Sequence, residues 1–216
     1  VAEDSVLSII YNPDLLASFG IPGPNIEGYL FPDTYRFAPG VSVESVLKAM
    51  TDRYRSTWSE ARRVQLEELD MTENELVTMA SIIQAEARHN SEMPRISSVY
   101  HNRLREGWLL QADPTVLFAL GGPRSRLLYA AIDSVADHPY NTYSQPGLPP
   151  GPICSPGDLA LAAALNPAQE DFMYFVARPD GSHVFTRTLV EHNRAKLEAQ
   201  RERDQIGSNG HPEPSH

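Results

Sequence analysis

Glu86 is the residue of this 216-residue chain best suited to acid–base chemistry. It follows Met79, Ile82 and Ile83 by seven, four and three residues, so on a helix its carboxyl group shares their apolar face. Desolvation disfavours the charged carboxylate and raises its pKa, which lets a glutamic acid keep its proton near neutral pH and act as a general acid. An ion pair with Arg88 or another cation is the alternative interpretation, because a carboxyl group on an apolar face often finds a partner.

Two polar segments further along the chain could bind a sugar. The first contains Gln111 and Asp113; we expect Asp113 to cap the helix that Pro114 begins, which leaves Gln111 without a structural explanation. The second, residues 140–143, offers amide, hydroxyl and aromatic groups on a loop rich in Pro and Gly. Such groups hold sugars by hydrogen bonds and ring stacking, although turn formation alone would also account for them.

Other catalytic chemistries lack their motifs. The seven histidines include no HExxH motif and no pair spaced i, i+4, so we expect no metal site and no cofactor. A Gly-x-Ser-x-Gly nucleophile motif and a Gly-rich phosphate loop are also absent. Acid–base chemistry by a carboxyl group therefore remains the leading hypothesis.

Composition restricts the partners. A formal charge of -10 and a pI near 5.1 argue against nucleic acid, whose binding needs clustered Lys and Arg. The single cysteine, Cys154, cannot form an intrachain disulfide. No run approaches the ~18 apolar residues of a membrane span, and Val1 opens no recognisable signal peptide, so we expect a soluble chain or fragment.

Periodicity predicts an α+β fold, mostly helical with a small β component. The helix that carries Glu86 begins with a capping box, in which Thr72 and Glu75 satisfy each other's free amide groups. An aromatic segment at residues 27–37 is expected to form an irregular or edge strand near the start of the chain. Residues 172–186 are expected to form a β-hairpin near the C-terminus.

Seven segments in order resemble a known family, the endolytic murein transglycosylases, also called the MltG or YceG-like family. The segments are residues 27–35, 80–87, 102–104, 110–116, 140–143, 147–153 and 174–177, and the resemblance covers about residues 26–197. It implies that Glu86 is the catalytic acid of an enzyme that cuts peptidoglycan glycan strands internally, between N-acetylmuramic acid and N-acetylglucosamine. Many members have Glu where this chain has Gln84, which leaves Glu86 as the only carboxyl group of its motif.

The resemblance also implies a reaction and a set of binding residues. A lytic cut needs one carboxyl group and leaves a 1,6-anhydromuramic acid end, whereas most glycosidases need two carboxyl groups. On this view Gln111, Asn141 and Tyr143 hold the sugars or the acetamide group. Three further residues would line or brace the groove: Glu27, Asp33 and Tyr35. A hydrolytic muramidase and a non-catalytic peptidoglycan-binding scaffold remain open as alternatives.

Domain organisation and cellular setting follow from the same resemblance. Residues 1–25 are interpreted as the remnant of a preceding LysM-like region or linker, residues 26–205 as the catalytic domain, and residues 206–216 as a disordered tail. Family members carry a single-pass membrane anchor, which this chain lacks. The parent protein is therefore expected at the outer face of the bacterial cytoplasmic membrane, beside wall-synthesis (penicillin-binding) proteins.

Overall fold

A computed structural model describes residues 12–23, 25–124 and 127–209. Within these ranges the helices and strands are α1 (Pro13–Ser18), α2 (Val43–Arg55), α3 (Glu60–Glu68), α4 (Glu73–Glu86), α5 (Met93–Arg105), α6 (Asp113–Ala119), α7 (Tyr129–Ser134), α8 (Asp158–Leu165), β1 (Tyr174–Ala177), β2 (His183–Thr186) and α9 (Leu189–Asn209), with a 3-10 turn at Asn90–Glu92. The predicted α+β fold, mostly helical with a small β component, is confirmed.

Helix α4 is the central element. Its predicted capping box is present, because the Thr72 hydroxyl accepts from the amide of Glu75 while the Glu75 carboxylate accepts from the amide of Thr72. Every residue from Leu76 to Ile83 is buried, so the helix is covered on all sides over this stretch. The backbone leaves the helical conformation at Ala87, which puts Glu86 in the last turn, at the open end of the buried helix.

Three helices cover α4, namely α5, α6 and α8. Helix α8 is almost entirely apolar and rich in alanine, and Ala160 and Ala164 are fully buried. Small side chains allow two helices to approach closely, which suits the extensive contact between α8 and α4. This packing fixes the position of the last turn of α4 relative to the rest of the core.

The β-hairpin lies beside α5 and α9. Strands β1 and β2 are antiparallel, with Tyr174 opposite Thr186 and Ala177 opposite His183, so the predicted hairpin is confirmed. Phe175 of β1 meets the ring of Tyr100 on α5 edge to face, with ring centroids 5.8 Å apart. The hairpin is thereby attached to α5, and α9 packs against both of its strands.

The predicted aromatic strand near the start is wrong. Residues 27–37 run without a strand partner in the described structure. Tyr29 and Phe31 turn into the core, the Tyr35 hydroxyl donates to the carbonyl of Phe31 over 2.7 Å, and Pro32 cannot donate to a ladder. The aromatic residues of this segment thus serve packing against helices, and no second strand is needed to bury them.

The N-terminal segment packs into the core, and the C-terminal helix is longer than expected. At the N-terminal side, Leu16, Phe19 and Ile21 belong to the main hydrophobic core, while residues 1–11 lie outside the described range. Helix α9 continues to Asn209, past residue 206 where the tail was expected to begin, and residues 210–216 of that tail are not described. None of the helices in the described ranges combines the length and the apolar character needed to cross a bilayer.

Candidate active site

A cavity of about 390 Å³ opens where the last turn of α4 meets α5, α6, the hairpin and α9. Three residues singled out in the sequence line it together: Glu86, Gln111 and Tyr143. The other lining residues are Arg103, Asp113, Tyr174, Phe175, Val176, Ala177, His183, Leu189, His192, Asn193 and Lys196. Segments far apart in sequence are therefore assembled around the carboxyl group of Glu86.

The carboxyl group of Glu86 is held in a form that can carry a proton at neutral pH. Burial raises its pKa from 4.5 to about 7, and the nearby carboxylate of Asp113 adds to the rise. The hydroxyl of Tyr100 donates to Oε1 of Glu86 over 2.9 Å, and this bond and the charge of Arg103 act in the opposite direction. No ion pair of Glu86 exists among the described residues, and Arg88 is not its partner.

Replacing Tyr100 by Phe should raise the pKa of Glu86 further. The lost hydrogen bond favours the ionised carboxylate, so its removal favours the protonated form. We expect the basic limb of the pH–activity profile to move to higher pH and the rate near pH 7 to fall by about tenfold, because the carboxyl group loses its orientation. Tyr54→Phe is the matched control, since Tyr54 also donates to a glutamate, Glu73, over 2.8 Å. An unchanged profile in Tyr100→Phe would contradict this role.

Gln111 stands in a strained backbone conformation on the cavity wall. Its φ is +48°, in the left-handed region that residues other than Gly and Asn seldom adopt. This conformation costs on the order of 1 kcal/mol for a residue with a Cβ atom. The conformation is held because the amide of Gln111 donates to the carbonyl of Thr142 over 3.0 Å. Strain of this kind concentrates at functional sites, and here it keeps a side-chain amide at the cavity.

Asp113 does not cap α6 as expected. Ala112 occupies the cap position, and no side chain caps this helix. The carboxylate of Asp113 instead accepts from the hydroxyl of Tyr143 over 2.5 Å, and both residues line the cavity. Burial and this carboxylate raise the pKa of Tyr143, so its phenol keeps its proton. A second carboxyl group, which the sequence was expected to use for capping, therefore lies in the same cavity as Glu86.

Asn141 is placed behind the cavity wall. Its side chain is fully buried; its amide donates to the carbonyls of Ile132 and Val135, and its oxygen accepts from the amide of Tyr143. The neighbouring hydroxyl of Thr142 accepts from the amide of Ala112 over 2.9 Å. These bonds fasten the loop that carries Tyr143 to the segment that carries Gln111, so Asn141 contacts the loop backbone and not the cavity.

Arg103 also lines the cavity, although it was not singled out in the sequence. Its guanidinium group donates to the carbonyls of Met173 and Leu110 over 2.8 and 2.5 Å and lies over the ring of Tyr174. These contacts connect α5 with the hairpin and with the segment before α6. The side chain is almost completely buried, and its positive charge favours the ionised form of Glu86.

Glu27, Asp33 and Tyr35 do not line this cavity. Asp33 forms an ion pair with Arg53 over 2.7 Å, and burial raises the pKa of Glu27. Gln84, the departure from the family pattern, uses its side-chain oxygen to accept from the amide of Gly157 over 3.1 Å. That Glu27, Asp33 and Tyr35 line or brace a groove for the glycan remains a prediction.

Several residues at the site had no signal in the sequence. Tyr100 reaches Glu86 from α5, and His192, Asn193 and Lys196 line the cavity from α9. Arg103, Asp113 and residues 174–177 lay within segments that carried the family resemblance, but no role was assigned to them there. Across the described residues, no three His, Cys, Asp or Glu side chains are grouped closely enough to hold a metal ion.

The fold and the cavity define a mostly helical α+β domain with a protonatable carboxyl group in an open cleft. A sequence model of the YceG-like family matches residues 4–198. The chain therefore belongs to the YceG-like family, and the match starts well before residue 26, where the resemblance was expected to begin.

Known relatives agree with this assignment. An endolytic murein transglycosylase of Bacillus subtilis (strain 168) is 44% identical over 172 residues, which are 79% of this chain and 47% of that protein. An endolytic murein transglycosylase of Streptococcus pneumoniae serotype 2 (strain D39) is 32% identical over 183 residues, which are 80% of this chain and 33% of that protein. A crystal structure of a YceG-like protein from Listeria monocytogenes superposes with a TM-score of 0.81 at 37% identity, covering 90% of this chain and 67% of that one. This chain thus spans between a third and a half of the two transglycosylases.

Proposed function

We propose that this chain is the catalytic part of an endolytic murein transglycosylase. It cleaves the β-1,4 bond between N-acetylmuramic acid and N-acetylglucosamine within peptidoglycan glycan strands and leaves a 1,6-anhydromuramic acid end. The printed names of the relatives support the substrate and the reaction class. The observation that carries the proposal is a Glu86 carboxyl group with a pKa of about 7 on the wall of an open cavity.

In this proposal Glu86 acts first as an acid and then as a base. The protonated carboxyl group gives its proton to the bridging oxygen while the bond from that oxygen to C1 of muramic acid breaks. The resulting carboxylate removes the proton from the C6 hydroxyl of the same sugar, and O6 bonds to C1. The proton is back on Glu86 at the end, no water is consumed, and a pKa near neutrality suits both transfers.

The described lining of the cavity contains two carboxyl groups, and the proposed cut uses only that of Glu86. Hydrolysis would need a second carboxyl group to activate water or to attack C1. Asp113 is the second carboxyl group of the cavity, and it accepts a short hydrogen bond from Tyr143. Gln111 and Tyr143 offer an amide and a phenol beside Glu86, which suits hydrogen bonds to the sugars or to the acetamide group.

Mass analysis of the new chain ends tests the proposal. Purified protein is incubated with isolated glycan strands, and the products are separated and weighed. We expect internal cuts whose muramic acid ends are lighter by one water than reducing ends. Reducing ends would instead identify a hydrolytic muramidase, and binding without any cleavage would identify a non-catalytic scaffold; either result overturns the proposal.

The pH dependence of cleavage should follow the proton on Glu86. The acid form is required, so kcat/KM should be lost as the pH rises above about 7, with roughly a tenfold loss per pH unit well above the pKa. Initial rates on glycan strands between about pH 5 and 9 measure this limb. A rate that keeps rising through pH 8 would contradict the assignment of the acid.

The cellular setting is part of the same proposal. We infer that the whole protein is anchored in the cytoplasmic membrane by a segment outside this chain and acts at the outer face, beside wall-synthesis (penicillin-binding) proteins. Support comes from the family membership and from the peptidoglycan substrate named for the relatives. Co-purification of the full-length protein with membranes and with these synthases is the corresponding experiment.

A further inference from the structure

A second cavity, which we call the arginine cavity, adjoins the cavity at Glu86. It has a volume of about 290 Å³, and its lining includes Arg88, Arg178 and Arg203. Glu86, Ala177 and His183 line both cavities, so the two cavities adjoin at this carboxyl group. A group attached to a ligand at Glu86 would therefore lie close to the arginine cavity.

The arginine cavity is positively charged in a chain whose net charge is -10. Arg88 and Arg203 form no ion pair among the described residues, whereas Arg178 lies 3.7 Å from Glu202. Hydrogen bonds from Ser182 lower the pKa of the Asp180 carboxyl group, and the charge of Arg178 adds to this effect. The nearby carboxylate of Glu92 is already engaged by the ring and the amide of His183. Three arginines thus line the cavity that Glu86 borders, and Glu86 itself is largely protonated below its pKa of about 7.

The backbone brings these arginines together. Gly181 in the hairpin turn has a φ of +85°, and a Cβ there would lie 2.6 Å from Cδ of Arg88, so the absence of a side chain lets Arg88 lie against the turn. Arg203 lies two helical turns beyond Lys196 on α9, and Lys196 lines the cavity at Glu86. One face of α9 thus presents a cation to each of the two cavities.

We propose that the arginine cavity binds carboxylate groups of the peptides that murein carries on its muramic acid residues. This inference rests on the proposed function, which puts a muramic acid residue at Glu86. Guanidinium groups bind carboxylates with two parallel hydrogen bonds, and the sugar backbone of a strand substituted with peptides carries no charge of its own. A cluster of cations next to the cleavage position therefore matches the peptide and not the glycan.

Binding to strands with and without peptide charge tests the proposal. The Glu86→Gln protein is used so that strands are not cut, and it is titrated with peptide-bearing strands and with the same strands after their carboxylates are converted to methylamides. We expect the charged strands to bind about tenfold more tightly, which corresponds to two or three partly exposed ion pairs. Adding Arg88→Gln and Arg203→Gln should bring the ratio of the two Kd values close to one.

Arg194→Gln is the matched control, because Arg194 is an exposed arginine that lies on α9 with Arg203 and lines neither cavity. It should leave the ratio unchanged. In the parent Glu86→Gln protein, raising NaCl from about 50 to about 500 mM should also shrink the ratio, a test that needs no arginine variant. If charged and methylamidated strands bind with equal Kd values at low salt, the arginine cavity is not a peptide site. The proposal is also overturned if Arg194→Gln lowers the ratio of the two Kd values as much as the cavity variants do. Failure of the proposed function shows separately, as wild-type protein that produces no anhydro ends.

Discussion

Glu86→Gln is expected to lower the formation of anhydro ends by at least about a thousandfold while the protein remains folded. General acid catalysis contributes about 10²–10⁴-fold to a rate, and in the proposed reaction the same group also serves as the base. Glutamine keeps the size of the side chain and can still accept from the hydroxyl of Tyr100, so packing around it is preserved. Product ends counted by mass spectrometry give the rate, and circular dichroism gives the fold.

Glu73→Gln is the matched control for this experiment. Glu73 lies at the start of the same helix, accepts from the hydroxyl of Tyr54, and does not line the cavity. Its replacement should leave cleavage within about threefold of the wild-type rate, since substitutions away from the reacting atoms change stability more than chemistry. More than about one-tenth of wild-type activity in Glu86→Gln would remove Glu86 from the mechanism.

The same Glu86→Gln substitution should stabilise the protein at alkaline pH. The pKa of Glu86 is raised from 4.5 to about 7, so between these values the folded chain binds more protons than the unfolded chain, and stability falls as the pH rises. A pKa change of this size corresponds to roughly 3 kcal/mol, the cost of holding an ionised carboxylate in a desolvated position. We expect Glu86→Gln to gain about 2–3 kcal/mol in the free energy of unfolding at pH 8 and nothing below about pH 4.5.

Urea unfolding of the two proteins at several pH values measures this difference. Comparing variant with wild type at each pH removes the contribution of every other titrating group. Glu198→Gln, an exposed glutamate on α9, should change the free energy of unfolding by less than about 0.5 kcal/mol at all pH values. If Glu86→Gln were less stable than wild type at pH 8, the carboxyl group would be paired and not desolvated.

The helices and the hairpin were predictable because their signals are local. The capping box at Thr72 and Glu75 and the Pro at the start of α5 are encoded within a few neighbouring residues, and the structure has both. The aromatic segment at residues 27–37 failed because alternating burial can be satisfied against helices as well as in a sheet. Pairing partners are a property of the tertiary structure, which a local pattern does not contain.

The candidate site was only partly predictable for a related reason. Glu86 could be recognised because its position on an apolar helix face conflicts with its chemistry, and conflicts of that kind are visible in one segment. Asp113 showed no such conflict, since a cap is a common role for aspartate, and its bond to Tyr143 spans 30 residues. Tyr100, Arg103 and Lys196 are common polar residues on helices, and their roles become visible only in the structure, where Tyr100 bonds to Glu86 and the other two line the cavity.

The position of α9 has a consequence for the order in which the site is made. Glu86, Gln111 and Asp113 leave the ribosome well before Leu189, where the helix that lines one side of the cavity begins. The hairpin precedes that helix directly and packs against it, so a nascent chain that stops short of Leu189 has the acid but one side of its cleft is missing. Translation thus delays a complete cleft until almost the whole domain has been synthesised, and a truncated product would carry Glu86 without the surface that holds a strand against it.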